Sequence, residues 1–444
     1  MIPDPWLLTF LVFAVLVALG SSSGLINERL WISEPLVCAL VGVALGPVGL
    51  GLMHINPGKD PASAAVLSET ARVTLAIAVA GAAIRLPRGW LRVHWRGLAA
   101  ALGPGMVLMW GAGAFVAATV LGAPLLTALL IAAAVAPTDP VLSAPLLTGR
   151  LASQAVPEDL RHGLTAESGV NDGLALPLVM LPVLLLNHRP DAAWTEWLGH
   201  VLLYEIGSGI VVGAIGGWLT CRLLQWAKSR PDSQRASLLT AVIALALMVL
   251  AGARLLDSDG VLAAFVAGAV LNQGNWDNEI EQQSERFNEA LARFFDLPIM
   301  ILFGAVLPWH DWTALGWRGV GFALAILLLR RPPVWLLLGP LMPWTRDVRE
   351  ALFAGWFGPI GAAALFYAML IQDQTGLTTI WPAVSLVVAA SVLAHGATGT
   401  PLTWIFGRAR SGSLQLHDPQ PAGDEPQMAD QGGAGRESVT YPPT

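Results

Sequence analysis

The chain has 444 residues, of which 55% are hydrophobic and 13% are charged, and its mean hydropathy is +0.60. Soluble domains carry about 25% charged residues, so this composition excludes an ordinary soluble protein and indicates a polytopic membrane protein. The net charge of -6 gives no indication of a nucleic-acid partner, because many of the acidic residues lie in residues 277–289 and in the tail after Arg408.

Apolar runs recur along the chain at the length of roughly 20 residues that is needed to cross a bilayer. They predict an all-α fold of about 13 transmembrane helices, which we number as spans 1 to 13. The approximate limits are 6–26, 35–53, 66–84, 97–121, 124–145, 159–186, 197–224, 237–256, 260–272, 295–308, 316–342, 350–372 and 378–406. Spans 9 and 10 are the shortest.

Lys and Arg residues predict the orientation of these spans, because cytoplasmic loops carry the excess of positive charge. Loops on one side hold 17 of these residues and loops on the other side hold 4. We therefore expect a multi-pass protein of the cell membrane, with its N-terminus outside and its C-terminus in the cytoplasm. Residues 1–408 form the predicted transmembrane domain. Residues 409–444 have almost no large apolar side chains and are predicted to be a disordered cytoplasmic tail.

Helix breakers interrupt two of the predicted spans near their middle. They are Pro137 and Pro140 in span 5, and Gly358 and Pro359 in span 12. A simple proline kink explains either break alone. However, 13 spans divide as six, one and six, which pairs span 5 with span 12. This pairing is typical of transporters with inverted repeats, here roughly 1–186 and 237–408, in which broken helices hold the substrate near the midplane.

Acidic residues lie inside two of these apolar spans. A carboxylate at bilayer depth costs about 2.5 to 3.5 kcal/mol on insertion scales, so such residues indicate a functional site. Asp139 lies between the two prolines of span 5. On span 6, the helical spacing of Glu167, Ser168, Asn171 and Asp172 places them on one polar stripe, which we expect to face the interior of the bundle.

The side chains of this cluster offer hard oxygen donors, which suit a small hard cation better than a transition metal. A carboxylate in a partly dry cavity has its pKa raised by desolvation, and a bound cation lowers it again, so a proton and a cation can compete for it. We predict that they compete for Asp172. The other predicted Na+ ligands are Glu167, Ser168, Asp139 and Thr138. The alternative is a structural hydrogen-bond network between two helices, above all for Asn171 and Asp139.

Two basic residues, Arg330 and Arg331, stand in the middle of span 11 and require partners there. Glu69 on span 3 and the acids of the site are the candidate partners, although Arg72 lies one turn from Glu69 and could satisfy it locally. The sequence is equally compatible with a structural ion pair and with a gating role.

The segments around these motifs resemble the monovalent cation/proton antiporter superfamily, and within it the NhaP-type sodium/proton exchangers, a branch that includes fungal plasma-membrane exchangers. The matching segments are residues 136–142, 156–161, 166–177, 330–331 and 355–368. The resemblance implies exchange of Na+, or also Li+, for H+ by alternating access, a homodimer and no cofactor. It also implies that Asp172 is the essential carboxylate.

Two other functions compete with this interpretation. A K+-specific efflux exchanger would use the same residues, because selectivity depends on cavity geometry. An intramembrane aspartyl protease is an alternative from a different class, since two membrane-embedded Asp residues could share a proton. The cation-type donors around each Asp disfavour the protease, so we expect a transporter and not an enzyme.

Overall fold

The computed structural model describes residues 5–25, 33–140, 142–143, 147, 149–229, 238–274 and 294–411, and within these ranges the chain is helical with no strand. We number its principal helices in chain order. They are α1 (Pro5–Leu25), α2 (Glu34–Leu45), α3 (Pro61–Arg85), α4 (Trp95–Leu121), α5 (Leu125–Ala134), α6 (Glu158–Asn187), α7 (Pro190–Lys228), α8 (Leu238–Leu255), α9 (Gly260–Leu271), α10 (Phe294–Ala305), α11 (Trp309–Leu329), α12 (Pro332–Leu338), α13 (Val348–Trp356), α14 (Ala362–Thr375) and α15 (Ile380–Ser411). Shorter helical segments lie at Trp90–Val93, Gly149–Ala155 and Gly339–Leu341.

Each predicted span corresponds to one helix or to a pair of successive helices, which confirms the all-helical membrane fold and is consistent with 13 spans. By length and composition, α3, α4, α6, α7, α15 and the α11–α12 pair can cross a membrane. Helices α13 and α14 together form span 12. The predicted tail lies almost wholly outside the described residues, which end at Ser411 within α15.

Both predicted helix breaks are present, and their causes are visible in the sequence. Helix α5 ends at Ala134, and residues 135–140, with their two prolines, are not helical. Helix α13 ends at Trp356, and residues 357–361 separate it from α14. A third break, which the sequence analysis did not predict, separates α11 from α12 at Arg330 and Arg331, just before two consecutive prolines. Each break exposes backbone groups that must find partners inside the bundle.

Glycines allow several helices to approach each other closely. A Cβ atom at Gly42 of α2 would lie 2.1 Å from the carbonyl oxygen of Ile301 on α10, and one at Gly304 would lie 1.9 Å from that of Ala39. Small residues are the usual means of close helix packing in membranes, where dispersion contacts replace the hydrophobic effect. The α2–α10 contact therefore requires glycine on both helices.

We expect Gly304→Ala to lower the thermal stability of the protein, because the added methyl group overlaps the backbone of α2. Overpacking of this kind costs about 1 to 3 kcal/mol. Gly111→Ala on α4 is the matched control, since its Cβ atom would meet no atom within 4 Å. The measurement is the thermal unfolding midpoint of each variant in detergent, monitored by tryptophan fluorescence. Equal midpoints for the two variants would contradict this account of the packing.

Candidate cation-binding site

Asp139 joins the two broken spans to each other. Its backbone N–H donates to the carbonyl oxygen of Pro359 at 2.8 Å. Its Oδ2 accepts from the N–H of Ala362, the first residue of α14, at 2.8 Å, and its Oδ1 accepts from the N–H of Leu142 at 3.2 Å. A carboxylate at a helix N-terminus satisfies free amides and interacts favourably with the helix dipole. A Cβ atom at Gly361 would lie 2.0 Å from Oδ2, so this contact requires glycine there.

Arg330 satisfies the carbonyl groups that the two breaks leave free. One guanidinium nitrogen donates to the carbonyl oxygens of Val135 at 2.6 Å and Ala136 at 2.7 Å, and the other donates to that of Gly358 at 2.7 Å. The expectation of an acidic partner is therefore wrong for Arg330. Its partners are backbone carbonyls, because proline-interrupted helices present acceptors that no backbone N–H can reach.

Arg331 does have the acidic partner expected from the sequence. Its two terminal nitrogens bind the two oxygens of Glu167 at 2.7 and 2.9 Å, and both side chains are buried. Its Nε donates to the carbonyl oxygen of Ala354, and its guanidinium lies over the ring of Trp335. A bidentate geometry with further hydrogen bonds is what a buried ion pair needs to offset desolvation. In this conformation both carboxylate oxygens of Glu167 thus bind Arg331.

Glu69, the other candidate partner, is not near this pair. It binds Arg254 at 2.7 Å and Arg72 at 3.4 Å, and its side chain is 45% exposed. The proposed contact between Glu69 and Arg330 or Arg331 is therefore wrong, whereas the alternative local contact with Arg72 is confirmed. Glu69 lies in the half-exposed first half of α3, away from the buried break that holds the two arginines.

A hydrogen-bond network connects the polar stripe of α6 to the break in span 5. Nδ2 of Asn171 donates to the hydroxyl of Thr138 at 2.7 Å and to Glu167 at 3.0 Å, and its Oδ1 accepts from the N–H of Thr138 at 3.2 Å. The hydroxyls of Thr138 and Ser168 lie 3.0 Å apart. The structure thus brings these four residues together. Asn171 holds the two helices in register, as the structural alternative expected.

Asp172 is the exception in this network. It is fully buried, and neither of its carboxylate oxygens has a hydrogen-bond partner among the residues that the structure describes. Only its backbone carbonyl is engaged, by the hydroxyl of Tyr367. An ionised carboxylate without donors in a buried position is very costly, so Asp172 must hold a proton or a cation. It shares no hydrogen bond with Asp139, which removes the geometric basis of the aspartyl protease alternative.

Two further buried acids with an unpartnered carboxylate oxygen were not predicted from the sequence. Asp259 caps α9 and Asp296 lies in the first turn of α10, and each has one carboxylate oxygen without a hydrogen-bond partner in the described part of the chain. Both stand at the edge of an apolar run, where an acid is expected to be solvated. For Asp259 the position directly before an apolar helix was a recognisable N-cap signal, but the burial was not predictable from it.

We expect Arg331→Gln to destabilise the protein by about 3 to 5 kcal/mol, because it leaves Glu167 as an unpaired buried charge. Arg346→Gln is the matched control: Arg346 binds Asp159 at the same 2.7 Å distance, but both side chains are about half-exposed. The loss of an exposed pair should cost at most about 1 kcal/mol. The measurement is the thermal unfolding midpoint in detergent, and equal shifts for the two variants would be inconsistent with a buried pair that stabilises the bundle.

Comparison with known proteins places these features in a family. A family model described as "Sodium/hydrogen exchanger, transmembrane" matches residues 11–405. A probable Na+/H+ antiporter of Schizosaccharomyces pombe is 30% identical over 403 residues, which cover 84% of this chain and 53% of that protein. Another Na+/H+ antiporter of the same yeast is 29% identical over 418 residues, which cover 88% of each protein.

A solved structure has the same fold. The sodium proton antiporter MjNhaP1 from Methanocaldococcus jannaschii matches with a TM-score of 0.69 at 17% identity, covering 90% of this chain and 98% of that one. This chain spans about half the length of several of the curated relatives that it matches. The family match, however, includes both broken spans and the whole polar stripe of α6. The chain therefore belongs to the sodium/hydrogen exchanger family.

Proposed function

We propose that this protein exchanges Na+, or also Li+, for H+ across a cell membrane by alternating access. The observation that carries the proposal is the buried carboxylate of Asp172, which has no hydrogen-bond partner within the described ranges. This group requires one positive charge at all times, and a proton or a monovalent cation can supply it. Because the two occupants exclude each other, the binding of one on either side of the membrane releases the other.

The hydroxyls of Ser168 and Thr138 are the neutral ligands that we assign to the cation beside Asp172. Ser168 lies one helical turn before Asp172 on α6. The hydroxyl of Thr138, on the facing span 5, lies next to that of Ser168. Glu167 and Asp139, which the sequence analysis also counted as ligands, receive a different role. Their oxygens are committed to Arg331 and to backbone amides, so we assign them to holding the site in shape.

One proton for each cation is the coupling ratio that this arrangement supports. Of Asp139, Glu167 and Asp172, the acids near the middle of spans 5 and 6, only Asp172 is without a hydrogen-bond partner among the residues that the structure describes. Asn171 precedes it and carries no titratable group. Exchange of one Na+ for one H+ moves no net charge, so we infer that transport is insensitive to the membrane potential.

The orientation and assembly are also part of the proposal. The uneven distribution of Lys and Arg supports an N-terminus outside the cell and a C-terminus in the cytoplasm. The resemblance to NhaP-type exchangers supports a homodimer. No enzymatic activity and no cofactor are proposed: the partners are the transported ions, membrane lipid and a second copy of the chain.

The principal test is the replacement Asp172→Asn, which removes the carboxylate and retains its size. We expect the variant to lose cation-driven proton movement in proteoliposomes that contain a pH-sensitive dye and an acid interior, on addition of Na+ or Li+. An unchanged unfolding midpoint would establish that the variant is folded. If Asp172→Asn retains exchange, the proposal fails. If K+ drives proton movement in the wild-type protein and Na+ does not, the site belongs to a K+-specific exchanger.

The assignment of the neutral ligands has a separate test in Ser168→Ala. We expect the half-saturating Na+ concentration to rise about fivefold, the effect of roughly 1 kcal/mol for one lost neutral contact, while the maximal rate changes little. Thr165→Val is the matched control, because Thr165 is also buried on α6 but its hydroxyl binds the carbonyl oxygen of Arg161. An equal rise in both variants would exclude a specific role for Ser168.

A further inference from the structure

A cavity of about 330 Å³ lies apart from the network around Asp172, between α3, α6, α7, α8, α9 and α14. In the proposed orientation it is on the outer side of the membrane. Its charged lining residues are Glu205, Asp257, Asp259, Arg72 and Arg254. The cavity thus contains three acids and two bases, and its electrostatic character depends on which of them are already paired.

The two arginines bind groups other than the three acids that line the cavity. Arg254 binds Glu69 at 2.7 Å, and Arg72 approaches the same carboxylate at 3.4 Å and lies over the ring of Phe366. Among the acids, Glu205 has a contact with His200 at 3.3 Å. Glu69, which binds both arginines, is a fourth carboxylate beside the cavity, so four carboxylates accompany two arginines and the net charge there is negative when all four are ionised.

Asp259 is the acid in this lining that has an unused oxygen. It is 5% exposed, and its Oδ1 accepts from the N–H groups of Val261 and Leu262 at 2.9 and 3.0 Å. Its Oδ2 has no hydrogen-bond partner within the described ranges, although the residue lines the cavity. A buried carboxylate oxygen without a donor is costly and therefore indicates a missing ligand.

The cavity ends close to the exchange site. Leu176, which lines it, lies four residues and hence about one turn after Asp172 on α6. Tyr367 also lines it, and the hydroxyl of Tyr367 donates to the backbone carbonyl of Asp172. Tyr367 therefore both lines the cavity and contacts the backbone of the residue whose carboxylate we assign to the transported ion.

We propose that this cavity is an outer vestibule in which Asp259 binds a hydrated monovalent cation before the cation reaches Asp172. The inference rests on the proposed exchange function and adds a second, outward-facing cation site to it. No group of three or more His, Cys, Asp or Glu side chains encloses a metal site in the described part of the chain. In this proposal water supplies the remaining ligands of the cation, and the negative charge of Asp259 raises the local concentration of the cation.

The test is Asp259→Asn in the full-length protein. Asn caps a helix as well as Asp does, so the variant retains the hydrogen bonds to α9 and loses only the charge and the unused oxygen. Right-side-out and everted membrane vesicles expose the two faces separately. We expect the half-saturating Na+ concentration at the outer face to rise about three- to tenfold. The maximal rate and the half-saturating concentration at the cytoplasmic face should remain unchanged.

Two variants serve as controls. Asp60→Asn makes the same change at the N-cap of α3, where Ala62 and Ser63 already occupy both carboxylate oxygens, and it should have no effect. Asp257→Asn removes an exposed charge from the same cavity; its backbone φ of 46° is one that Asn tolerates. We expect it to raise the outer half-saturating concentration less than twofold.

The outcomes separate this inference from the proposed function. If the wild-type protein exchanges ions and Asp259→Asn behaves like wild type at the outer face, the vestibule site is excluded while exchange at Asp172 stands. Equal effects of Asp259→Asn and Asp257→Asn would show a diffuse negative field and would also overturn the assignment to Asp259. If the first variant fails to fold, Asp259→Ser, another uncharged N-cap, replaces it in the same comparison.

Discussion

The requirement that every buried backbone group find a partner determines the centre of this protein. Spans 5 and 12 are interrupted by proline and glycine, and water is not available at that depth to solvate the freed amides and carbonyls. Asp139 binds the free amides and Arg330 binds the free carbonyls. Two oppositely charged residues thus make unwound backbone tolerable inside the bundle, and the proposed cation site lies where that backbone meets α6.

The charged side chains of the site make different kinds of contact. Asp139 and Arg330 bind the free backbone groups of the two breaks. Glu167 on α6 forms an ion pair with Arg331 at the break between α11 and α12. Of these charged side chains, only that of Asp172 lacks a hydrogen-bond partner in the described part of the chain. In the proposed mechanism these four residues keep the shape of the site through contacts within the protein, and Asp172 carries the exchangeable charge.

Much of this arrangement was predictable from the sequence, because breakers and acids stand out in apolar spans. Asp172, the stripe on α6 and both breaks were identified in this way. The partners of Arg330 were not predictable, since free carbonyls carry no sequence signature and an acid is the usual expectation. The burial of Asp259 was missed for a related reason, because it depends on how α7 and α14 pack around a loop and not on the loop's own residues.

The contacts of Arg330 have a consequence for how the sequence can vary. Its partners at Val135, Ala136 and Gly358 are main-chain oxygens, which every amino acid possesses. Substitution of Val135 or Ala136 therefore leaves the bonded atoms in place, provided that the new side chain fits. At these positions the side-chain requirement therefore falls on Arg330 itself, and Val135 and Ala136 can vary while the carbonyl contacts persist.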